Sequence, residues 1–160
     1  MKLEFNFNQS GVIPYRKNNG ELQILLITSL KKKKWILPKG FVEFNLSPFE
    51  SAKKEAYEEA GVTGSNETVE VGIFRVKRSI GFCDIKIYSM EVLEILDDYP
   101  EKDLRKRKWF SIRDAASNIS IPEVSEMIIQ YNIDISDIKK FKEDNPFWKN
   151  ADQFQIDIDK

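Results

Sequence analysis

The stretch GFVEFNLSPFESAKKEAYEEAGV, residues 40–62, carries its own punctuation. Ser47, Pro48 and Glu50 form a capping box with proline at the first helical position, and Gly61 suits the left-handed residue just past a helix end. The stretch therefore predicts a helix over about 48–60. At about 100° per residue, Phe49, Ala52, Ala56 and Ala60 share one narrow face, and the small side chains let a helix sit close to a sheet. Glu55, Glu58 and Glu59 gather on one flank, with Glu55 and Glu59 bordering the apolar stripe. Lys53 falls toward the other flank and Lys54 beside Glu58 alone. Like charges spaced this way oppose the helix by a few tenths of a kcal/mol per pair. A solvated charged face is the ordinary reading of such a run, since glutamate is a good helix former. Two features point elsewhere. Unpaired charge beside a buried stripe is expensive, and no histidine competes to bind a cation. Hard divalent ions take oxygen ligands together with substrate phosphates, so a cation would turn the repulsion into coordination.

The rest of the composition narrows the chemistry. The 160 residues suit one domain with one substantial core. Apolar content of 41% with 32% charged residues reads as globular. The lone Cys83 excludes an internal disulfide and a multi-cysteine zinc site, and the absence of histidine removes imidazole bases and Ser-His or Cys-His nucleophiles. Catalysis must then come from carboxylates, lysine or a bound metal. The net charge of −1 leaves any anion site to local clusters. No signal peptide or membrane-spanning run is visible, so a cytoplasmic location without a membrane partner is the expectation.

Outward from the helix, GVIPYR (11–16) and LQILLITSL (22–30) flank an Asn/Gly turn and predict a hairpin. The lysines 31–34 lead into WILPKG (35–40), a strand that Pro38 and Gly40 are expected to end. Downstream, residues 67–79 and 83–96 read as a second hairpin, KWFSI as a short strand, and IRDAASNI and PEVSEMIIQYN as helices. The tail, 134–160, is charged but carries Phe141, Phe147, Trp148 and Phe154, which suggests packing on the domain (1–133) or on a second copy.

Residues 40–62 resemble the Nudix box, G-x5-E-x7-R-E-U-x-E-E-x-G-U with U aliphatic. Gly40, Glu55, Glu58, Glu59, Gly61 and Val62 fall in register, with Ala56 at the first U. WILPKGFVE and RKRKWFSIRDA extend the resemblance over about residues 8 to 132. It implies an α/β fold: an α/β/α sandwich around a mixed sheet. It also implies that Glu55, Glu58 and Glu59, with the Gly40 carbonyl, hold Mg²⁺ or Mn²⁺; one box glutamate, with Glu58 the choice here, can instead serve as base, and family members differ in this, some using a loop glutamate outside the box. Two positions depart. The family's first glutamate is Leu46 and its arginine is Lys54. In the family these two typically pair, so orientation of the neighbouring Glu55 is the function in question, and lysine lacks arginine's planar fork.

The implied reaction is metal-dependent hydrolysis of a phosphoanhydride. Arg16, Lys39, Arg75, Lys77 and Arg78, together with the 31–34 and 105–108 clusters, are candidates to bind a polyanion. Strand alternation favours Arg75 with Lys77. The pattern looks most like the branches acting on diadenosine or diphosphoinositol polyphosphates, so the expected partner is a small polyphosphate, with the protein a monomer or homodimer. Two other readings stand beside this: a Nudix-fold module that binds a phosphorylated ligand without turnover, and an RNA 5′-pyrophosphohydrolase, against which the pI of 5.7 argues.

Overall fold

Asn19 and Gly20 both adopt positive φ, 53° and 80°, the geometry that joins two twisted strands tightly. They connect β1 (Phe5–Asn18) to β2 (Glu21–Thr28), antiparallel neighbours with Tyr15 opposite Ile24. The computed structural model describes residues 5–65 and 69–130, with side chains from residue 8 onward. The tail and its aromatics, like the expected domain limit at 133, lie outside the described residues.

β1 and β2 diverge beyond their shared turn, and the segment 35–41 fills the gap between them. Its first part, β3 (Trp35–Ile36), pairs with β2. Its second, β4 (Lys39–Phe41), pairs with β1, Gly40 lying opposite Ser10. The expected single strand is therefore two. Pro38 interrupts it, since proline has no N–H to donate, yet its carbonyl accepts from Val12 N at 3.1 Å and the chain resumes as β4. Gly40 sits inside a strand rather than ending one.

The helix forms over the expected span, with a difference at its end. Ser47 accepts from Glu50 N while the Glu50 carboxylate accepts from Ser47 N, closing the capping box over α1 (Pro48–Glu55). Residues Ala56–Ala60 continue as a π-helical turn, closed by Gly61 at φ 66°. Each residue in such a turn advances by less than the roughly 100° of an α-helix. Glu58 and Glu59 are thereby rotated away from the positions a continuous α-helix would give them.

A bulged strand β5 (Val62–Gly64) and β6 (Glu70–Arg78) both pair with the long β7 (Gly81–Ile95), which runs parallel to β1. β8 (Arg107–Ser111) covers the outer edge of β2. The mixed eight-stranded sheet carries helices on both faces. Alternation splits the core: Val12, Leu25 and Ile27 pack with Ala52, Ala56 and Ala60 of the α1 arm, all buried. Ile13, Ile24, Ile85 and Ile87 face the other way, against α2 (Ile112–Asn118) and α3 (122–130). This is the α/β/α sandwich expected from the sequence. Among the described residues no helix is long and apolar enough to cross a membrane.

Candidate active site

The box helix and β4 meet with almost no space between them. A Cβ on Gly40 would overlap the Glu55 carboxylate, so only glycine lets that carboxylate lie against the β4 backbone. Glu55 is half-buried and makes no hydrogen bond or ion pair among the described residues. Burial, then the neighbouring charges of Glu58, Glu101 and Glu43, pushes its pKa up to about 6. Glu59 is 5% exposed. Its Oε1 accepts from Lys39 N at 3.1 Å and its Oε2 pairs with Arg105 Nη2 at 3.2 Å. Even so, its pKa rises to about 7, because burial outweighs the pull of Arg105 and of the Lys39 N–H. The reason is visible in Arg105. The same guanidinium also pairs with Glu101 at 3.2 Å and donates to Thr28 O at 3.1 Å, so its charge is divided. Glu58 is half-buried on the same turn, and its carbonyl accepts from Glu101 N at 3.0 Å, tying loop 96–106 to the helix.

Lys54 does not lean on Glu58, as its place on the helix suggested. Its ammonium reaches Glu43 at 2.8 Å and 3.1 Å on the two carboxylate oxygens. The positive charge at the arginine position thus has a partner, three residues upstream of the position occupied by Leu46. Ser51 Oγ accepts from Glu43 N at 3.0 Å and fixes the same loop from its backbone.

The predicted cations separate into two groups. Lys39 lies at the site, half-buried, with its Nζ 3.4 Å from Gln9 Oε1. Burial, and next the charge of Arg78, lowers its pKa, while Glu59 acts in the other direction. Lys39 and Arg78 are close enough to feel each other's charge, on the face of the sheet away from Glu55. Arg16 is elsewhere, bonded to Gln23 at 2.9 Å with its guanidinium 4.1 Å from the Trp109 ring centre. Arg75 and Lys77 do share a face, but Arg75 is bound by Asp84 at 2.7 Å and lies over Phe82. Within the 105–108 run, Arg105 and Arg107 point inward: Arg107 donates to Ala60 O at 2.9 Å and to Gly61 O, capping the π turn while stacking on Tyr99.

Sequence reasoning missed Glu43, Glu101 and the inward role of Arg105. The alternation of RKRKWF, which places Arg105, Arg107 and the half-buried Trp109 on one side, was the available signal for the last.

Among the described residues, no three carboxylates or thiols converge closely enough to form a ready-made metal cage. The donor chemistry nevertheless suits a hard cation. All the candidate ligands are oxygens, and burial leaves two of the three carboxylates with raised proton affinity. Each Glu59 oxygen uses one lone pair and keeps another. Ligating carboxylates commonly carry such outer hydrogen bonds.

An acidic turn packed on a glycine strand of an α/β/α sandwich sets oxygen donors of the kind a hard cation prefers. The chain belongs to the NUDIX domain family, whose model matches residues 8–129. Nudix hydrolase 12, mitochondrial, of Arabidopsis thaliana is 32% identical over 127 residues, covering 66% of this chain and 63% of that protein. Diphosphoinositol polyphosphate phosphohydrolase 2 of Rattus norvegicus is 36% identical over 106 residues, covering 62% of this chain and 55% of that one. The crystal structure of C. elegans Ap4A hydrolase aligns with a TM-score of 0.65 at 20% identity, over 81% of this chain and 98% of that one. At that identity the likeness speaks for the fold alone. The chain spans less than two thirds of the length of either named relative.

Proposed function

We propose that this protein is a divalent-metal-dependent pyrophosphohydrolase acting on a dinucleoside or other small polyphosphate. The observation that carries this reading is the raised proton affinity of the half-buried Glu55 and the buried Glu59, with Lys39 donating its backbone N–H to Glu59. A linear polyphosphate bound through a cation satisfies both carboxylates at once.

In this reading Glu55, Glu59 and the Gly40 carbonyl would hold Mg²⁺ or Mn²⁺, which when bound would neutralise phosphoryl charge and acidify water. Glu58 takes the proton from the attacking water. Glu55 is confined against Gly40 and Glu59 is held by Lys39 N and Arg105, which leaves Glu58 the least constrained of the three. Water attacks phosphorus in line, the P–O bond to the neighbouring phosphate breaks, and that phosphate leaves as an anion that needs no proton at neutral pH. Glu43 and Lys54 brace the loop between β4 and α1, the role the resemblance assigns to the glutamate and arginine that the box lacks.

The names of the relatives support a polyphosphate substrate, and diphosphoinositol polyphosphates stay within the proposed class. The two departures from the box, Leu46 and Lys54, favour a second reading, a module that binds the ligand without turnover. Phosphate release from diadenosine tetraphosphate, nucleoside triphosphates and a diphosphoinositol polyphosphate, with and without Mg²⁺, separates the two. Turnover that requires Mg²⁺ supports the hydrolase. Binding without turnover of any member of the panel supports the module.

A further inference from the structure

Helix α3 is seated on the sheet by one side only. Val124 and Ile128 are buried in the core, whereas Met127 is half-buried and Ile129 is 48% exposed. Between α3 and β6 runs a groove of about 530 Å³, with Val71, Ile73, Met127 and Ile129 as its apolar lining and Glu123 and Glu126 among its walls. Its floor is closely built. Met127 lies directly over Gly72, where a Cβ would meet its Sδ and Cε. The register of β6 against β7 slips between Glu70 and Gly72, a bulge that puts Val71 out of step with the ladder. A second groove, of about 520 Å³, opens on the other side of Ile129 toward α2, so that side chain stands as a ridge between two hollows.

The outer edge of β6 is unpaired among the described residues, its ladder running to β7 alone. Exposed strand edges are ordinarily blunted by charge or covered. Arg75, Lys77 and Arg78 supply charge to one half of β6, but the half at the groove offers Val71, Gly72 and an Ile73 that is 55% exposed. The groove is acidic as well as apolar, and Glu123 and Glu126 make no ion pair among the described residues. Complementary chemistry follows a few residues on in the same chain. Past Gln130, which lines the groove, come Ile135, Ile138 and Phe141 at a spacing of three, with Lys139, Lys140 and Lys142 between and beside them. The run 138–142 contains no acid. From Gln130 to Ile135 the chain reaches about 17 Å when extended, and a helix the length of α3 is about 14 Å long. The segment can therefore lie along the whole groove.

We infer that residues 135–142 of this chain seat in the groove, Ile138 and Phe141 against Ile73, Met127 and Ile129, and the lysines against Glu123 and Glu126. The seat is on the α3 side of the sheet, away from the box helix. The segment thus secures α3 and the β6 edge and does not close over the acidic turn.

Disulfide trapping in the full chain reads the seat directly, because the bond closes only when two Cα atoms come within about 7 Å. Ile73→Cys with Ile138→Cys, in a glutathione buffer, forms a bridge within one chain at about ten times the yield of Ile80→Cys with Ile138→Cys. Ile80 is as exposed as Ile73 but lies in the turn beyond the far end of β6. The linked tryptic peptides distinguish either bridge from one to the buried Cys83. Charge reversal supplies an independent readout. Lys139→Glu with Lys142→Glu speeds hydrogen exchange of the 71–73 and 124–130 amides about fivefold, the effect of two exposed ion pairs. Adding Glu123→Lys with Glu126→Lys restores the parent rate. The inference is overturned if the two cysteine pairs bridge equally, if the bridge joins two chains instead of one, or if charge reversal leaves exchange unchanged or goes without rescue.

Discussion

Lys54 Nζ lies 2.8 Å from Glu43 Oε1, a salt bridge that joins the box helix to the loop ahead of it. The box lost its glutamate at Leu46, but the loop retains an acidic partner three residues upstream. Both side chains are nearly half exposed, so the pair matters for where the loop sits more than for global stability.

The first prediction follows from that pair. Glu43→Gln lowers kcat about fivefold with a smaller change in KM, and adding Lys54→Met to it costs little more, because the two act as one unit. Leu46→Glu with Lys54→Arg, in the presence of Glu43, gives less gain than the same pair in a Glu43→Gln background. Steady-state kinetics on the six proteins, the parent included, decide this. Additive losses in the first cycle contradict it.

Arg105 is predicted to matter for both stability and cation affinity. Its side chain is 9% exposed and that of Glu59 6%. Removing one member of a buried pair strands the other charge, at a cost of about 3–5 kcal/mol. Arg105→Met lowers stability toward that range, and Arg105→Met with Glu59→Gln loses less than the sum of the single changes. Urea unfolding of the four proteins measures it.

Gly40→Ala tests the close approach of strand and helix. The added methyl group displaces the Glu55 carboxylate, so Mn²⁺ affinity falls about tenfold or more, while the circular dichroism spectrum is retained. Ser10→Ala, across the ladder from Gly40, leaves Mn²⁺ affinity unchanged. Electron paramagnetic resonance of free Mn²⁺ reads both.

A pH dependence follows from Glu59, whose pKa in the fold is about 7 against an ordinary 4.5. Below the ordinary value both folded and unfolded chains hold the proton and Glu59 is neutral in its effect. Between the two values the unfolded chain releases the proton and the fold retains it, so the metal-free protein loses stability as pH rises. Above about 7 the cost is fully present. Glu59→Gln flattens that slope, and saturating Mg²⁺ offsets it in the parent protein. Thermal melts between pH 5 and 8, with EDTA or Mg²⁺, show the trend. A metal-free stability that climbs over this interval contradicts it.

The sequence carried much of this fold in plain chemical signals. Strand-forming runs around short turns marked the β1–β2 and β6–β7 pairs, and Ser47, Pro48, Glu50 and Gly61 bounded the helix. The box register set Glu55 and Glu59 at the edge of the buried alanine stripe, where one is half-buried and the other buried. Three features were not legible. The π turn at Ala56–Ala60 depends on tertiary contacts, among them Arg107 on the last carbonyls and Tyr99 against Gly61. The wedge of β3 and β4 between diverging strands is a long-range arrangement that no local pattern encodes. The cations were sorted by what lies opposite them: Asp84 takes Arg75 and Trp109 takes Arg16, while Lys39 gives its backbone N–H to Glu59.

The central claim, that the acidic turn grips a divalent ion against phosphoryl oxygens, is tested most directly by Mn²⁺ binding with and without a non-hydrolysable diadenosine tetraphosphate analogue. The account predicts Mn²⁺ uptake that the analogue strengthens and that Glu58→Gln with Glu59→Gln abolishes. Uptake that persists unchanged in the doubly substituted protein, or no uptake in the parent with the analogue present, would contradict it.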